Sequence, residues 1–543
     1  MHRRERLMSY QKHLRNLEIS TLILALLPST LGQVAMASQA STSATDSIWV
    51  KQPVAEALET ARRENKPALL YWGAVWCPPC NQLKSQVFSH PEFASATQSF
   101  VRIYLDGDEP GAQEWGEKLN VSGYPTVLIL APEKSGKKTD KKTQMKERLR
   151  LAEFVNFKEF QTLVAAALAE SVPLKKNLVA KATAKYGKKA TLEEWKLLAL
   201  TWDVAETSSD ASDAQIKASI KELDRLFVAC PHGDIRGLIA ARLLNLDTGL
   251  RPAWIDAVLA TDASLFTARV PFLSGAAQWL EKTPAATAKE TASKLLDGVK
   301  KLQTNPALSS AEKIQAWSAR LDLETAMADR KWIEMKQLDQ TRRDAAADAL
   351  ILEATSKSAF QRHAVVSDAA SLLANTGKTK EAMTMLEREA AASDTPWYYQ
   401  SSMAAIAFQQ KDYKSALEWS AKARNSAQGE ATRLQWLVSD IVMQSKVAKA
   451  QESGDARAAG QAFVTPDQSY ESVNAWLDLA TSLPDGFAGR NAVRAKKVKD
   501  VIAGWPESRK KQAVLLKWAE TCAKLKNEAA NNCRSIMKDA ASH

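Results

Sequence analysis

Residues 71–84 read YWGAVWCPPCNQLK: Cys77 and Cys80 lie three positions apart behind Trp76, with Pro78 and Pro79 between them. Such a pair can be a redox centre, half of a metal site, or two small apolar residues of a core, and the flanking sequence decides. Upstream, PALLYWGA is a short apolar run bounded by Asn65-Lys66-Pro67, the pattern of a buried strand. Downstream, NQLKSQVF continues as a helix until Ser89-His90-Pro91-Glu92 stops it and opens the next, with Ser89 and Glu92 at capping-box spacing. SFVRIYLD (99–106) reads as a second strand, Gly123-Tyr124-Pro125-Thr126 opens a third, and ERLRLAEFV supplies a fourth. Asn156 with Glu159 caps a closing helix.

The order strand, CxxC-headed helix, strand, X-Pro-Thr strand, strand, helix resembles the thioredoxin superfamily over residues 46–172. Trp76-Cys77-Pro78-Pro79-Cys80 matches its redox motif, Tyr124-Pro125-Thr126 matches its cis-proline turn, and Asp106 stands where an acidic residue often ends the central strand. VFSHPEF after the motif is most similar to the branch of exported thioredoxin-like proteins related to disulfide-interchange domains. The resemblance implies an α/β thioredoxin fold and a catalytic pair, Cys77 and Cys80. It also implies a substrate-binding surface of Trp76, Tyr124 and a cis Pro125, where an extended client chain can pair.

Disulfide exchange needs a thiolate, and a cysteine at a helix N-terminus has its pKa lowered there. Cys77 is therefore expected exposed at the turn as the attacking thiol, and Cys80, one turn inside, as the resolving thiol. Trp76 is expected to shield the pair and Tyr124 to tune what docks. Where thioredoxins commonly bury an Asp, six residues before the first cysteine, this chain has Tyr71, a poor base at neutral pH. Pro78 and Pro79 bring no N–H to the Cys77 thiolate, which points to reductase or isomerase chemistry rather than a dedicated oxidase.

No cofactor is implied. Zinc needs four ligands, and Cys230, Cys522 and Cys533 form no second CxxC, while His90, His232, His363 and His543 form no ligand pair. Copper(I) on the two thiolates stays open as an alternative. Nucleic acid is not an expected partner: the net charge of +11 is modest and no recognition motif is present. The most basic stretch, residues 134–150, reads as a solvated hairpin tip.

The N-terminus is basic, then apolar (ISTLILALLPSTLG), then AMAS, with Ala35 and Ala37 where a signal peptidase requires small residues. Residues 1–37 are expected to be a cleaved signal peptide, which lowers the net charge to +8, and the mature chain is expected in the periplasm without stable membrane insertion. Disulfides are permitted there. Cys522 and Cys533 are eleven apart, roughly 16 Å on one straight helix, so the bridge expected between them requires Ala-Ala-Asn-Asn to turn the chain.

From 173 to 543 the chain has helical periodicity and no strand signal. Trp195, Leu198, Ala199 and Trp202 share a face, as do Ile216, Ile220, Leu223, Phe227 and Cys230, which makes Cys230 a buried apolar residue. Residues 370–390 and 404–423 align at a 34-residue offset, pairing Gly377 with Lys411 and Ala382 with Ala416. That period resembles tetratricopeptide repeats, and an all-α solenoid is expected. Two functions follow. One is a thiol–disulfide oxidoreductase acting on protein thiols or disulfides, re-reduced by an upstream dithiol donor, whose helices position clients. The other is a helical scaffold for which the thioredoxin-like part is a docking module.

Overall fold

The apolar run ALLYWG forms β1 (Ala68–Gly73), buried on both faces because helices cover the sheet on each side. VRIYLD alternates and forms β2 (Val101–Asp106), and β3 (Thr126–Lys134) and β4 (Thr143–Leu151) complete a sheet of order β2-β1-β3-β4. β1 runs parallel to β2, and β3 is antiparallel to both β1 and β4, which sets Tyr71 between Tyr104 and Val127. This is the computed structural model of the chain. It describes residues 48–541 except 110, 122, 135–142, 169–178, 180–181, 184–189, 203–212, 247–248, 250, 453–463, 465, 484–485 and 488. The expected signal peptide, the boundary at 172/173 and residues 135–142 of the basic stretch lie outside the described residues.

One face of the sheet is covered by α1 (Val54–Arg63), whose Ala57 and Ala61 meet Leu70, Trp72, Ile103 and Leu128. The other face carries α2 (Pro78–Leu83), one turn of π-helix (Lys84–Phe88), α3 (Phe93–Ala96) and α5 (Phe157–Leu168); α4 (Ala112–Lys118) links β2 to β3. Several local expectations need correction. Ser89 makes no cap: α3 starts at Phe93 without a side-chain cap, and the Glu92 N–H instead donates to His90 Nδ1 at 3.3 Å. The His90 ring stacks on Phe157 at 3.7 Å, which holds it there. Asp106 ends the edge strand β2, not a central one. The fourth strand begins at Thr143 and ends at Leu151, ahead of the Asn156–Glu159 capping pair, which is present in both directions.

Beyond α5 every described regular element is a helix: α6 (Leu192–Leu200), α7 (Asp213–Ala229), α8 (Gly233–Leu246), α9 (Pro252–Leu259), α10 (Asp262–Thr267) and α11 (Arg269–Lys282), then α12 (Ala285–Gln303), α13 (Ser310–Asp329), α14 (Met335–Thr355), α15 (Ala359–Asn375) and α16 (Thr379–Ala392). The series ends with α17 (Pro396–Gln409), α18 (Tyr413–Ser426), α19 (Glu430–Glu452), α20 (Pro466–Ser482), α21 (Gly489–Ala503), α22 (Arg509–Lys524) and α23 (Asn527–Ala541). Thr191–Glu194 and Ser309–Glu312 are reciprocal capping boxes at the starts of α6 and α13. The aligned segments are the hairpins α15–α16 and α17–α18. Gly377 (φ +84°) and Lys411 (φ +60°), matched at the 34-residue offset, each make the left-handed turn between the two helices.

The sheet face beneath α2 and α5 is not closed by the α/β part alone. Leu69, Tyr71 and Ile129 belong to one continuous core with Phe160, Trp195, Trp254, Trp279 and Leu323. Buried ion pairs cross the same seam: Arg242 (α8) to Glu153, and Arg269 (α11) to Glu159 (α5) and to Glu312 (α13). The helices therefore hold the α/β layer as part of one packed body.

Candidate active site

Cys77 sits at the end of the turn after β1 in an extended conformation and caps α2: its Sγ accepts the Cys80 N–H at 3.3 Å. Proline at the first helical positions loses nothing, because those N–H groups would be unsatisfied there in any case. Asn81 Nδ2 donates to the carbonyls of Val75 (2.8 Å) and Cys77 (3.0 Å) and fixes the turn. The Tyr124–Pro125 bond is cis, and Tyr124 meets Trp76 edge to face at 6.0 Å. Cys77, Cys80, Trp76, Tyr124 and Pro125 thus come together. Cys522 and Cys533 lie far along the chain and form a disulfide between α22 and α23, with Cα atoms 5.4 Å apart; the chain turns at Leu525-Lys526, not at Ala-Ala-Asn-Asn, which is helical within α23. Cys230 is buried, donates to the His232 carbonyl at 3.4 Å, and burial pushes its thiol up to about 11.

Tyr71 points to the thiols from β1. Its buried hydroxyl finds no oxygen or nitrogen partner and lies against Cys80, over the backbone of Gly73, where an added Cβ would stand 2.3 Å from it. Burial, then the negative charge of a Cys80 thiolate, raise the Tyr71 pKa well above the ordinary value. Tyr71 stays protonated, so it can donate but not act as base. Burial opposes the Cys80 thiolate, yet hydrogen bonding from Cys77, from the Ala74 backbone and from Tyr71, with the charge of Lys84, brings its pKa below the ordinary thiol value. Behind Tyr71, Tyr104 stacks at 5.2 Å, donates its hydroxyl to Asp106 (2.9 Å), and carries the Lys84 ammonium 5.0 Å from its ring centre.

The expected exposure of Cys77 is not found. Cys77 is 4 % exposed, Cys80 0 % and Trp76 7 %, although Pro79 between them reaches solvent. The cause is the helical region. α15 packs along α2, Gln82 Nε2 donates to Ser309 Oγ at 3.2 Å, and Trp436 of α19 meets Trp76 edge to face at 5.1 Å. Trp76 Nε1 donates to Asp108 Oδ2 (2.6 Å) and to Thr432 Oγ1 (3.1 Å), and the Thr432 hydroxyl donates to Asp108 Oδ1. Trp76 is thus engaged by the chain's own helices rather than offered to a client. Tyr398 packs against the same core, close enough to feel the charge of Cys77. The sequence gives no signal for Asp108, Thr432, Trp436 or Tyr398, since 324 positions separate Asp108 from Thr432. Among the described residues no group of three or more His, Cys, Asp or Glu could hold a metal ion, and no helix is long and apolar enough to cross a membrane.

The family profile described as Thioredoxin-like matches residues 49–132. Thiol:disulfide interchange protein DsbD 1 of Pseudomonas aeruginosa is 32 % identical over 78 residues, 14 % of this chain and 13 % of that protein. Thioredoxin of Echinococcus granulosus is 31 % identical over 81 residues, 15 % of this chain and 71 % of that protein. A solution structure of a thioredoxin from Thermus thermophilus aligns with 22 % of this chain and 85 % of its own, at 26 % identity and a TM-score of 0.19. Carrying the paired cysteines on the first turn after β1 and matching the Echinococcus thioredoxin over 71 % of that protein, the α/β part of this chain belongs to the thioredoxin-like family.

Proposed function

We propose that the protein is an exported thiol–disulfide oxidoreductase that exchanges its Cys77–Cys80 dithiol with disulfides of client proteins in the reductase or isomerase direction. The observation that carries this reading is the Cys77 sulfur at the head of α2, accepting the Cys80 N–H at 3.3 Å, with the adjacent Trp76 ring against Tyr124 of the cis Tyr124–Pro125 peptide. A thiolate at Cys77 attacks one client sulfur, and the other leaves as a thiolate that takes a proton from solvent. Cys80 then attacks Cys77, which releases the client reduced and leaves the Cys77–Cys80 disulfide for an upstream dithiol donor to reduce. The interchange named for the Pseudomonas relative is consistent with this. The basic–apolar–small N-terminus and the Cys522–Cys533 bridge support a periplasmic location. The α15–α18 hairpins support a tetratricopeptide-like reading of the helices as a partner-binding surface.

The full chain should accelerate reduction of insulin by dithiothreitol, and Cys77→Ser should not. Equal rates with and without the chain refute the enzyme. One observation favours the second reading, a helical scaffold with the α/β part as docking module: the helices cover Cys77 to 4 % exposure. On that reading partners bind the helices and Cys77→Ser changes nothing.

A further inference from the structure

Attack on a disulfide proceeds in line with the S–S bond, so the attacking sulfur needs an open approach on its outer side. Cys77 lacks one: it is 4 % exposed, and the turn between α18 and α19 and the first turns of α19 close on the adjacent Trp76 and on Asp108. Gly429, in that turn at φ +78°, comes so close to Asp108 that an added Cβ would stand 3.0 Å from the Asp108 Cβ. One turn on, Thr432 shares Asp108 with Trp76; two turns on, Trp436 lies edge to face on Trp76 and donates its Nε1 to the Trp397 carbonyl at 3.0 Å.

This contact is built to separate. Of the buried residues beyond Trp332 among those described, four join the core around the thiols: Trp397, Ala423, Ala427 and Trp436. The rest of α19 packs elsewhere: Leu434, Leu437, Val438 and Ile441 form a different core with Trp476, Phe487 and Trp518. α19 can therefore tilt away from Trp76 without opening its own core. The latch itself is a carboxylate shared between an indole N–H and a hydroxyl. Such a buried polar contact fixes geometry while its desolvation cost offsets much of its gain.

We propose that the α18–α19 corner is a cover that closes the redox site in the resting chain, held by Thr432 and Asp108 across Trp76, and that it lifts before a disulfide reaches Cys77. This rests on the oxidoreductase reading for its purpose, but the closed thiol can be measured without turnover. In the closed chain Trp436 lies edge to face on Trp76, and that contact must part before a client can use the Trp76 ring. A client engaging the helices in a way that favours the lifted state would raise the open population, whereas a disulfide that merely collides with the α/β part, insulin included, meets only the small fraction already lifted and reacts slowly.

The test is the rate of iodoacetamide labelling of Cys77 in the reduced full chain, read by peptide mass spectrometry so that Cys80 and Cys230 are scored apart. Three variants are compared: Thr432→Val, which keeps shape and removes the hydroxyl; Gly429→Ala, whose methyl pushes the corner off Asp108; and Trp436→Ala. Wild-type Cys77 should label about a hundredfold slower than in the urea-unfolded chain. Thr432→Val should raise the native rate about tenfold with an unchanged melting temperature, and Gly429→Ala should raise it as much while melting slightly earlier, since alanine is strained at φ +78°. Wild-type labelling at the unfolded rate overturns the cover. So do variants that melt like wild type yet label no faster. If the rates behave as expected but neither wild type nor any variant reduces insulin, the cover stands and the oxidoreductase reading falls.

Discussion

The Arg269 guanidinium forks onto the Glu159 carboxylate, with Nη1 2.8 Å from Oε1 and Nη2 3.0 Å from Oε2. Its Nε reaches a second carboxylate, Glu312, at 2.6 Å. Glu159 caps the closing helix of the α/β part and Glu312 caps α13, so one buried side chain joins the capping groups of two layers. Arg269→Ala leaves both carboxylates near the seam without their cation and should cost about 3–5 kcal/mol in urea unfolding, as breaking one partner of a buried pair does. A loss below about 1 kcal/mol would show that water takes over the arginine's role.

The bridge between α22 and α23 closes an 11-residue separation at the end of the last helical core, where Cys522 and Cys533 pack with Trp518 and Ile536. Replacing both by Ser should lower stability by about 2–3 kcal/mol, chiefly by freeing the unfolded chain. Chemical denaturation with and without reductant checks this. If reduction leaves the wild-type curve unmoved, the helical hairpin is held by its apolar contacts alone.

His363 on α15 gives the fold an acid limit near the redox site. Burial first, then the charges of Arg362 and Lys84, lower its pKa from the ordinary 6.5 to about 4, with Asp394 acting the other way, while its ring meets Tyr399 edge to face at 5.5 Å. The unfolded chain therefore binds a proton that the folded chain refuses. The stability contributed by neutral His363 is present above about pH 6.5 and is lost as pH falls toward about 4. His363→Gln should flatten that limb of the stability profile relative to wild type, and identical slopes across this window would remove the assignment.

What was legible in the sequence was local. WCPPC before a helix, Gly-Tyr-Pro-Thr before a strand, and the Thr191–Glu194 and Ser309–Glu312 boxes each encode their geometry within a few residues. α1 and α4 went unread because each is short and flanked by the stronger signals of the strands. Tyr71 was legible as a departure, but not that its hydroxyl would settle over Gly73. The exposure of Cys77 was misread for a different reason: PP in a turn predicts solvent only if nothing docks on it. What docks here comes from Thr432 and Trp436, more than 300 residues later, and no periodicity within α19 distinguishes a tryptophan of its own core from one that reaches another layer.

Single replacements of the two thiols test the order of the chemistry. If Cys77 attacks and Cys80 resolves, Cys77→Ser should abolish exchange, because a serine hydroxyl is not ionised at neutral pH. Cys80→Ser removes the sulfur that Tyr71 faces and keeps the attacking one, together with the residue-80 N–H that Cys77 Sγ accepts. First attack should then proceed and release should fail, so mixed disulfides with client proteins should accumulate on Cys77 and vanish under reducing electrophoresis. The closed site adds a condition. With the approach blocked by the α18–α19 corner, the trapped yield should be small in Cys80→Ser alone and rise about tenfold when Thr432→Val is added, matching the rise in labelling. The adducts would identify clients by mass spectrometry. If the double variant traps nothing while intact chain still recovers partners through its helices, disulfide exchange is not what this site does, and the helical scaffold is the better account.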